Sequence, residues 1–337
     1  MDNKKKVTLI LSNDTIKMTP PYSITPKILR LVAQISERIG QINAKYLDKP
    51  TPKLRKENRI KTIHSSLGIE GNTLSEAQIT ALMDNKQVIG PEKDVREVLN
   101  AIRVYERLST FEPNSMDSFL NAHASLMQGL ISSAGKFRKG GVGVVSGDQI
   151  THMAPPAENV PFLMKDLFHY ISTSEELTLI KSCVFHYELE FIHPFQDGNG
   201  RMGRLWQTLI LMQGYPLFAF LPFENLIHQT QSAYYQALSD SDKSGHSTPF
   251  IEYLLGILLS ALNEQLDYKA KIMSTLERLD YFREIGSQIF TRKDYMLVFQ
   301  HISTATASRD LKIGVDNGFF TKDGDKTKTM YHLIQRG

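Results

Sequence analysis

Hydrophobic and polar positions alternate along most of this chain with a helical period. From Ile28 to about Tyr46 the apolar residues Ile28, Leu29, Leu31, Val32, Ile35, Ile39 and Ile42 recur three or four apart, the spacing of one helix face. Residues 56–70, "KENRIKTIHSSLGIE", continue the pattern and stop at Gly71-Asn72. "LSEAQITALM" (74–83) starts with Ser75 as its N-cap. "EKDVREVLNAIRVYERL" (92–108) is strongly amphipathic, and 115–131 forms a further helix. The pattern then changes. "GKFRKGGVGVVSGDQITHMAPPAENV" (135–160) carries glycines, β-branched residues and a Pro-Pro pair, which predict a hairpin and a turn. Helices resume over 161–172, 177–192 and 199–213, then across 225–240 and 248–284, interrupted by "SDSDKSGHS". The last fifty residues predict helix, helix and a two-stranded wing, with Ser303 as an N-cap and Gly318 as a stop. Residues 1–23 predict a strand and a proline-rich lead.

A mostly α protein follows, with one hairpin and a small C-terminal module. The 337 residues allow two or three domains. Hydrophobic residues at 41% and charged residues at 22% are those of a globular chain rather than a disordered one. A net charge of +3 is too small to argue for nucleic acid by itself. The single cysteine, Cys183, excludes an internal disulfide and lies in an apolar segment, as a buried thiol does. The basic start "MDNKKKVTLILSND" has too short an apolar run for a signal peptide. "FIEYLLGILLSAL" (250–262) contains Glu252 and falls short of a membrane span. A soluble cytoplasmic protein without a membrane partner is expected.

One stretch carries candidate chemistry. "HPFQDGNGRMGRL" (193–205) places three glycines, an asparagine, two arginines, an aspartate and a histidine between apolar helices. Gly198 and Gly200 open backbone conformations closed to other residues, and Asn199 tolerates the left-handed region. Successive N–H groups can then face one concavity at the start of a helix, an anion nest suited to phosphate. Arg201 and Arg204 lie three apart on that helix, near its positive end, where cations are unfavourable without an anion. Asp197 sets a hard oxygen beside the nest, as a Mg²⁺–polyphosphate needs. His193 ends the preceding helix and titrates near neutral pH, so it can take a proton from a hydroxyl. There is no GxxxxGK[ST] loop. The spacing of His186 and His193 is not that of a zinc site. A surface corner with a capping aspartate explains any one of these residues but not the set. The nest itself does not choose which phosphorus is attacked.

"HPFQDGNGRMGR" resembles the signature of the Fic family, HPFx[DE]GNGRxxR, at every specified position. The resemblance extends through "LMQGLISSAGKFR", the hairpin and "VFHYELEFIHPF", over roughly residues 60–260. It implies a Fic-type helical bundle with a β-hairpin flap. It also implies transfer of AMP from ATP, with Mg²⁺, to a Ser, Thr or Tyr hydroxyl of a target protein or of the chain itself. By that resemblance His193 is the general base and Asp197 the metal ligand. Gly198, Asn199, Gly200 and Arg201 form the anion hole, Arg204 meets the γ-phosphate, and Phe195 is a buried wedge.

"SSLGIEGN" (65–72) resembles the family's inhibitory pattern [ST]xxxE[GN], with Ser66, Glu70 and Gly71. Glu70 would pair with Arg204 and turn ATP into a non-productive pose. In some relatives the same glutamate activates water and removes AMP, so a bifunctional or mainly de-AMPylating enzyme stands as an alternative. Segment 135–153 resembles the flap on which a target adds as a strand, with His152 either a contact or polar surface. Tyr234 and Tyr235, in "SAYYQAL", lie where relatives place adenine contacts, and Tyr235 is the expected one of the two. Residues 286–337 resemble a winged helix. Thr304, Thr306 and Arg309 face a groove and Lys322, Lys326 and Lys328 lie on the wing, diluted by Asp310, Asp316, Asp323 and Asp325. DNA binding and protein docking, including a homodimer, are both open, and a nucleotide-sensing DNA-binding regulator is the rival from another class. The expected organisation is an N-terminal helical region (1–110) carrying the inhibitory motif at 66–71, a catalytic core (111–265), and a linker helix with the winged helix (266–337).

Overall fold

The computed structural model describes residues 20–45, 52–141, 143–146, 149–272, 274–299, 302–324 and 329–334. The lead up to residue 19, Lys326 and Lys328 of the wing, and the hairpin side chains, His152 among them, lie outside what is described.

Helix α1 (Pro26–Lys45) buries Ile28, Ile35, Ile39 and Ile42 along one stripe. That stripe packs on the long α11 (Thr248–Ile272), as an amphipathic surface helix must. Next come α2 (Pro52–Ile69), α3 (Glu76–Met83) and α4 (Glu92–Glu106). Ser75 starts α3 with a capping box: its side chain accepts from Gln78 N and Gln78 answers at the Ser75 amide. Helix α5 (Met116–Leu126) is shorter than the predicted 115–131. The chain instead turns back through Gly129 and Gly135, at φ 72° and 76°. A Cβ at Gly135 would press on the Leu120 carbonyl and Ala124, so the loop lies directly on α5.

Strands β1 (Gly143–Ser146) and β2 (Gln149–Met153) form the expected antiparallel hairpin, with Gly143 opposite Met153. Then α6 (Val160–Thr173), α7 (Thr178–Ile192) and α8 (Asn199–Gly214) follow. Helices α7 and α8 pack against each other at the centre and are buried almost all round, which is why neither shows an amphipathic stripe. Phe119, Phe168, Phe185, Phe195 and Trp206 interlock beside them, with ring centroids 5.0 to 6.4 Å apart. The helical stretch across 225–240 consists of two helices, α9 (Phe223–Gln229) and α10 (Gln231–Ser244). They break at Thr230, whose hydroxyl turns back to the Leu226 carbonyl.

One core runs from Ile28 to Leu262, so α1–α4 are built into the same interior as α5–α11. A second core, Leu279 to Phe320, belongs to the C-terminal module. It is closed by α12 (Thr275–Ile285), α13 (Arg292–Val298) and α14 (Thr304–Asp316) with a three-stranded sheet. The wing strands β4 (Phe320–Asp323) and β5 (Met330–Leu333) are joined by a two-residue strand that the sequence did not announce, β3 (Ile289–Phe290), in the order β3-β5-β4. Ser303 caps α14 by accepting from Thr306 N. Asp310 on α14 is fully buried and holds Arg278 of α12 by two hydrogen bonds of 2.7 and 3.0 Å. Among the described residues no helix is long and apolar enough to cross a membrane.

Candidate active site

The loop between α7 and α8 is shaped by two left-handed residues. His193 closes α7 at φ 49°, ψ 58°, and Pro194 forbids continuation of the helix. Gly198 opens α8 at φ 91°. A Cβ there would meet Met127 Sδ at 2.9 Å and His123 Nε2 at 3.2 Å, so glycine is required for space as well as conformation. The Asn199 side chain is committed to the loop itself: Oδ1 accepts from Phe195 N at 2.9 Å and Nδ2 donates to Phe195 O at 3.0 Å. Its contribution to an anion nest is therefore left to its backbone N–H. No side chain caps α8, which leaves the positive end of the helix dipole available to an anion.

The sequence-predicted residues Ser66, Glu70, Gly200 and Arg204 converge at this end. Arg204 is fully buried. Its Nε donates to Ser66 Oγ at 3.0 Å, and its Nη2 donates to the Ser66 carbonyl at 2.9 Å and to Glu70 Oε1 at 2.7 Å. Its Nη1 is buried without a hydrogen-bond partner and points at Gly200, where an added Cβ would lie 3.1 Å from it and would collide with Glu70 Oε1. Burial would lower the pKa of this guanidinium, but the adjacent Glu70 carboxylate outweighs it and the net shift is upward.

Arg201 has a separate set of partners. It donates from Nη2 to Asp197 Oδ1 at 2.7 Å and from Nη1 to Glu97 Oε1 at 3.1 Å, with its Nε unpartnered and buried. The other oxygen of Glu97 accepts from Asn72 Nδ2 at 2.8 Å. Asp94 Oδ2 accepts from both the amide and the hydroxyl of Thr73. The turn that follows Glu70 is thus tied to the helix carrying Glu97. The sequence reading missed Glu97. Its signal was available: 97 falls on the buried face of α4, with Asp94, Val98, Asn100 and Ala101, where a carboxylate needs a cation.

Two other missed residues support the loop. His123 stacks on Phe195 with centroids 3.5 Å apart and rings 4° from parallel. Its Nδ1 accepts from Gly135 N at 2.8 Å, so Nε2 carries the proton and donates to the Asp197 carbonyl at 2.9 Å. Burial pushes its pKa down to about 4. Arg138, from the loop before the flap, reaches the carbonyl of His193.

Beyond Arg204, the imidazole of His186 is held by Gln207 Oε1 at 2.7 Å and the Tyr234 hydroxyl at 3.1 Å. Burial lowers its pKa to about 3. The adjacent tyrosines divide. Tyr234 is a core residue, whereas Tyr235 is 47% exposed and near enough to Glu70 and Arg204 to sense both charges. Cys183 is buried against Gln207, and burial raises its thiol to about 12.

The Asp197 carboxylate accepts from Gly198 N and Arg201 Nη2 through Oδ1, and the side chain is 43% exposed. It can therefore offer an oxygen to a hard cation as one ligand of several. Among the described residues no three His, Cys, Asp or Glu side chains converge on a metal position, so a Mg²⁺ there would complete its shell from phosphate and water.

Comparison with known proteins points to one family. The model of the Fic/DOC family matches residues 113–211. The protein adenylyltransferase fic-1 of Caenorhabditis elegans is 28% identical over 253 residues, covering 71% of this chain and 47% of that protein. The protein adenylyltransferase Fic of Drosophila melanogaster is 26% identical over 211 residues, 59% of this chain and 40% of that one. The chain thus spans less than half the length of these relatives. The crystal structure of a Fic family protein from Desulfovibrio desulfuricans G20 superposes with a TM-score of 0.71 at 40% identity, covering 95% of this chain and 99% of that one. C. elegans Fic-1 (TM-score 0.58, 23% identity) shares the fold.

Proposed function

Because this chain belongs to the Fic/DOC family, we propose that it transfers AMP from Mg²⁺-ATP to a protein hydroxyl and that Glu70 holds the activity in check. The observation that carries the reading is the Glu70–Arg204 contact over Gly200. A side-chain carboxylate lies at an uncapped helix N-terminus, on a buried arginine whose Nη1 has no hydrogen-bond partner. A phosphate satisfies the same groups, so Glu70 and the terminal phosphate of ATP compete for one position.

In the reaction, the target hydroxyl oxygen attacks the α-phosphorus, the bond to the bridging oxygen of the β-phosphate breaks, and pyrophosphate leaves. His193 accepts the hydroxyl proton as the bond forms. The N–H groups at the start of α8, with Arg201 and Arg204, hold the phosphates and offset their charge without reorganising. A Mg²⁺ on Asp197 would supply further neutralisation of the phosphate oxygens. Tyr235 is the adenine-side contact. The hairpin edge receives the target as an added strand, opposite His193. With Glu70 on Arg204, the phosphates cannot settle into the nest, and the α-phosphorus is not presented in line.

The test uses ATP labelled at the α-phosphate, Mg²⁺ and a cell lysate, with wild type, Glu70→Gly and Glu70→Gly/His193→Ala compared. Labelled protein bands are expected with Glu70→Gly alone. Equal labelling by wild type and Glu70→Gly would remove Glu70 as an inhibitor. Equal labelling by the double variant would remove His193 as the base.

A further inference from the structure

Arg138 is a buried guanidinium whose partners among the described residues are all backbone carbonyls. It is 5% exposed. Nε donates to His193 O at 2.7 Å and Nη1 to Gly140 O at 2.8 Å. Nη2 donates to Pro155 O at 2.5 Å and to Ile192 O at 3.2 Å. Its own amide donates to Pro194 O at 2.9 Å. Burial lowers its pKa, and among the described residues no carboxylate pairs with it. A cation removed from water with no anionic partner is costly, so its placement calls for a compensating interaction. The carbonyls of Ile192 and His193 provide one. They are the terminal acceptors of α7, the negative end of its dipole.

The four carbonyls come from three places that the catalytic reading treats separately. Gly140 precedes β1 and Pro155 follows β2, so they are the two feet of the hairpin. Ile192 and His193 end α7, and His193 is the non-glycine residue held in the left-handed region there. A single planar group with five N–H donors spans them all. Lysine carries the charge but cannot reach these carbonyls in a fork.

We propose that Arg138 is a positioning residue that locks the left-handed backbone of His193 to both feet of the flap, so that a target strand paired on the flap is held in register with the base. The inference rests on the reading of His193 and the flap given above. It predicts a division of effects. Binding of nucleotide uses the start of α8 and is independent of Arg138, whereas transfer to a target depends on it.

The experiment introduces Arg138→Ala and Arg138→Lys into full-length Glu70→Gly protein. Three quantities are measured: Mg²⁺-ATP affinity by calorimetry, label transfer from α-labelled ATP with and without millimolar guanidinium, and hydrogen exchange. Arg138→Ala should lower transfer at least a hundredfold while ATP affinity changes less than threefold. Added guanidinium should restore transfer at least tenfold, and Arg138→Lys should stay within tenfold of the alanine variant. Amides over 137–141 and 193–196 should exchange faster together, with those of α8 unchanged. Transfer within threefold of the parent overturns the proposal, as does an ATP affinity that falls in parallel with transfer or a lysine variant as active as arginine. If the Glu70→Gly parent labels nothing, AMP transfer has failed and hydrogen exchange still decides about Arg138: unchanged exchange at 193–196 in Arg138→Ala overturns it.

Discussion

At the C-terminus of α7, the last carbonyls receive a buried cation, Arg138. At the N-terminus of α8, a few residues on, no side chain caps the helix, and the carboxylates of Glu70, Glu97 and Asp197 approach through Arg204 and Arg201. The two ends obey the same electrostatics, since cations favour C-termini and anions N-termini. They differ in what can be exchanged. The partners of Arg138 are main-chain atoms that define the loop and cannot leave it. Glu70 is a side chain at a turn, 28% exposed, and in the proposed reaction a phosphate takes its place. One end is a fixed mount and the other a replaceable contact. Helix α3 sharpens the contrast, because its N-terminus is closed by a capping box; α8 lacks such a cap where the proposed site needs free N–H groups.

The largest expected effect falls on the fixed side. In the Glu70→Gly background, His193→Ala should lower transfer by about 10²–10⁴-fold, the usual contribution of a general base, with ATP affinity within threefold by calorimetry. On the carboxylate side, Glu97→Ala removes the buried partner of Arg201, leaving it Asp197, and takes from Asn72 one of its two acceptors, the other being the Asp94 carbonyl. We expect a loss of about 3–5 kcal/mol in urea unfolding. Glu97→Gln should lose less, because it keeps a hydrogen-bonding group for both.

The support beneath the loop should show in pH dependence. His123 is held neutral, with its pKa lowered from 6.5 to about 4 by burial, and Arg201 lowers it further while Asp197 opposes. The folded state binds fewer protons than the unfolded one, so this stability is fully present above pH 6.5. It is lost as pH falls toward 4, up to about 3 kcal/mol. Unfolding midpoints of wild type should therefore drop more steeply over that range than those of His123→Gln. His186, lowered in the same direction, contributes to both proteins. The smallest effect is a control at an ordinary capped helix: Ser303→Ala should cost about 1 kcal/mol in unfolding of the C-terminal module and leave ATP affinity unchanged.

Much of this was legible in the sequence where the signal is local. The apolar stripe of α1, the Ser75 and Ser303 caps and the left-handed Gly198 before α8 each follow from residue chemistry over a few positions; Asn199 and Gly200, read as needing the same freedom, are helical, and Gly200 is glycine for space beside Glu70 instead. So does the gathering of Ser66, Glu70 and Arg204, once the motif is recognised. What escaped depends on distant segments. Arg138 ends the stretch "LMQGLISSAGKFR" that carries the resemblance, but its role escaped because only the fold brings the α7 carbonyls to it. Glu97 looks like an ordinary helix charge until the buried side of α4 is known. The break at Thr230 and the short strand β3 escaped because a single hydroxyl and a two-residue pairing leave no periodic trace.

The most direct measurement of the central claim uses two forms of ATP. Purified Glu70→Gly protein is incubated with lysate and Mg²⁺, with ATP labelled at either the α- or the γ-phosphate. The account predicts protein labelled from the α-position alone, with a much weaker signal from wild type. Protein labelled from the γ-position would contradict it, since the nest would then present the terminal phosphorus and the reaction would be phosphoryl rather than nucleotidyl transfer.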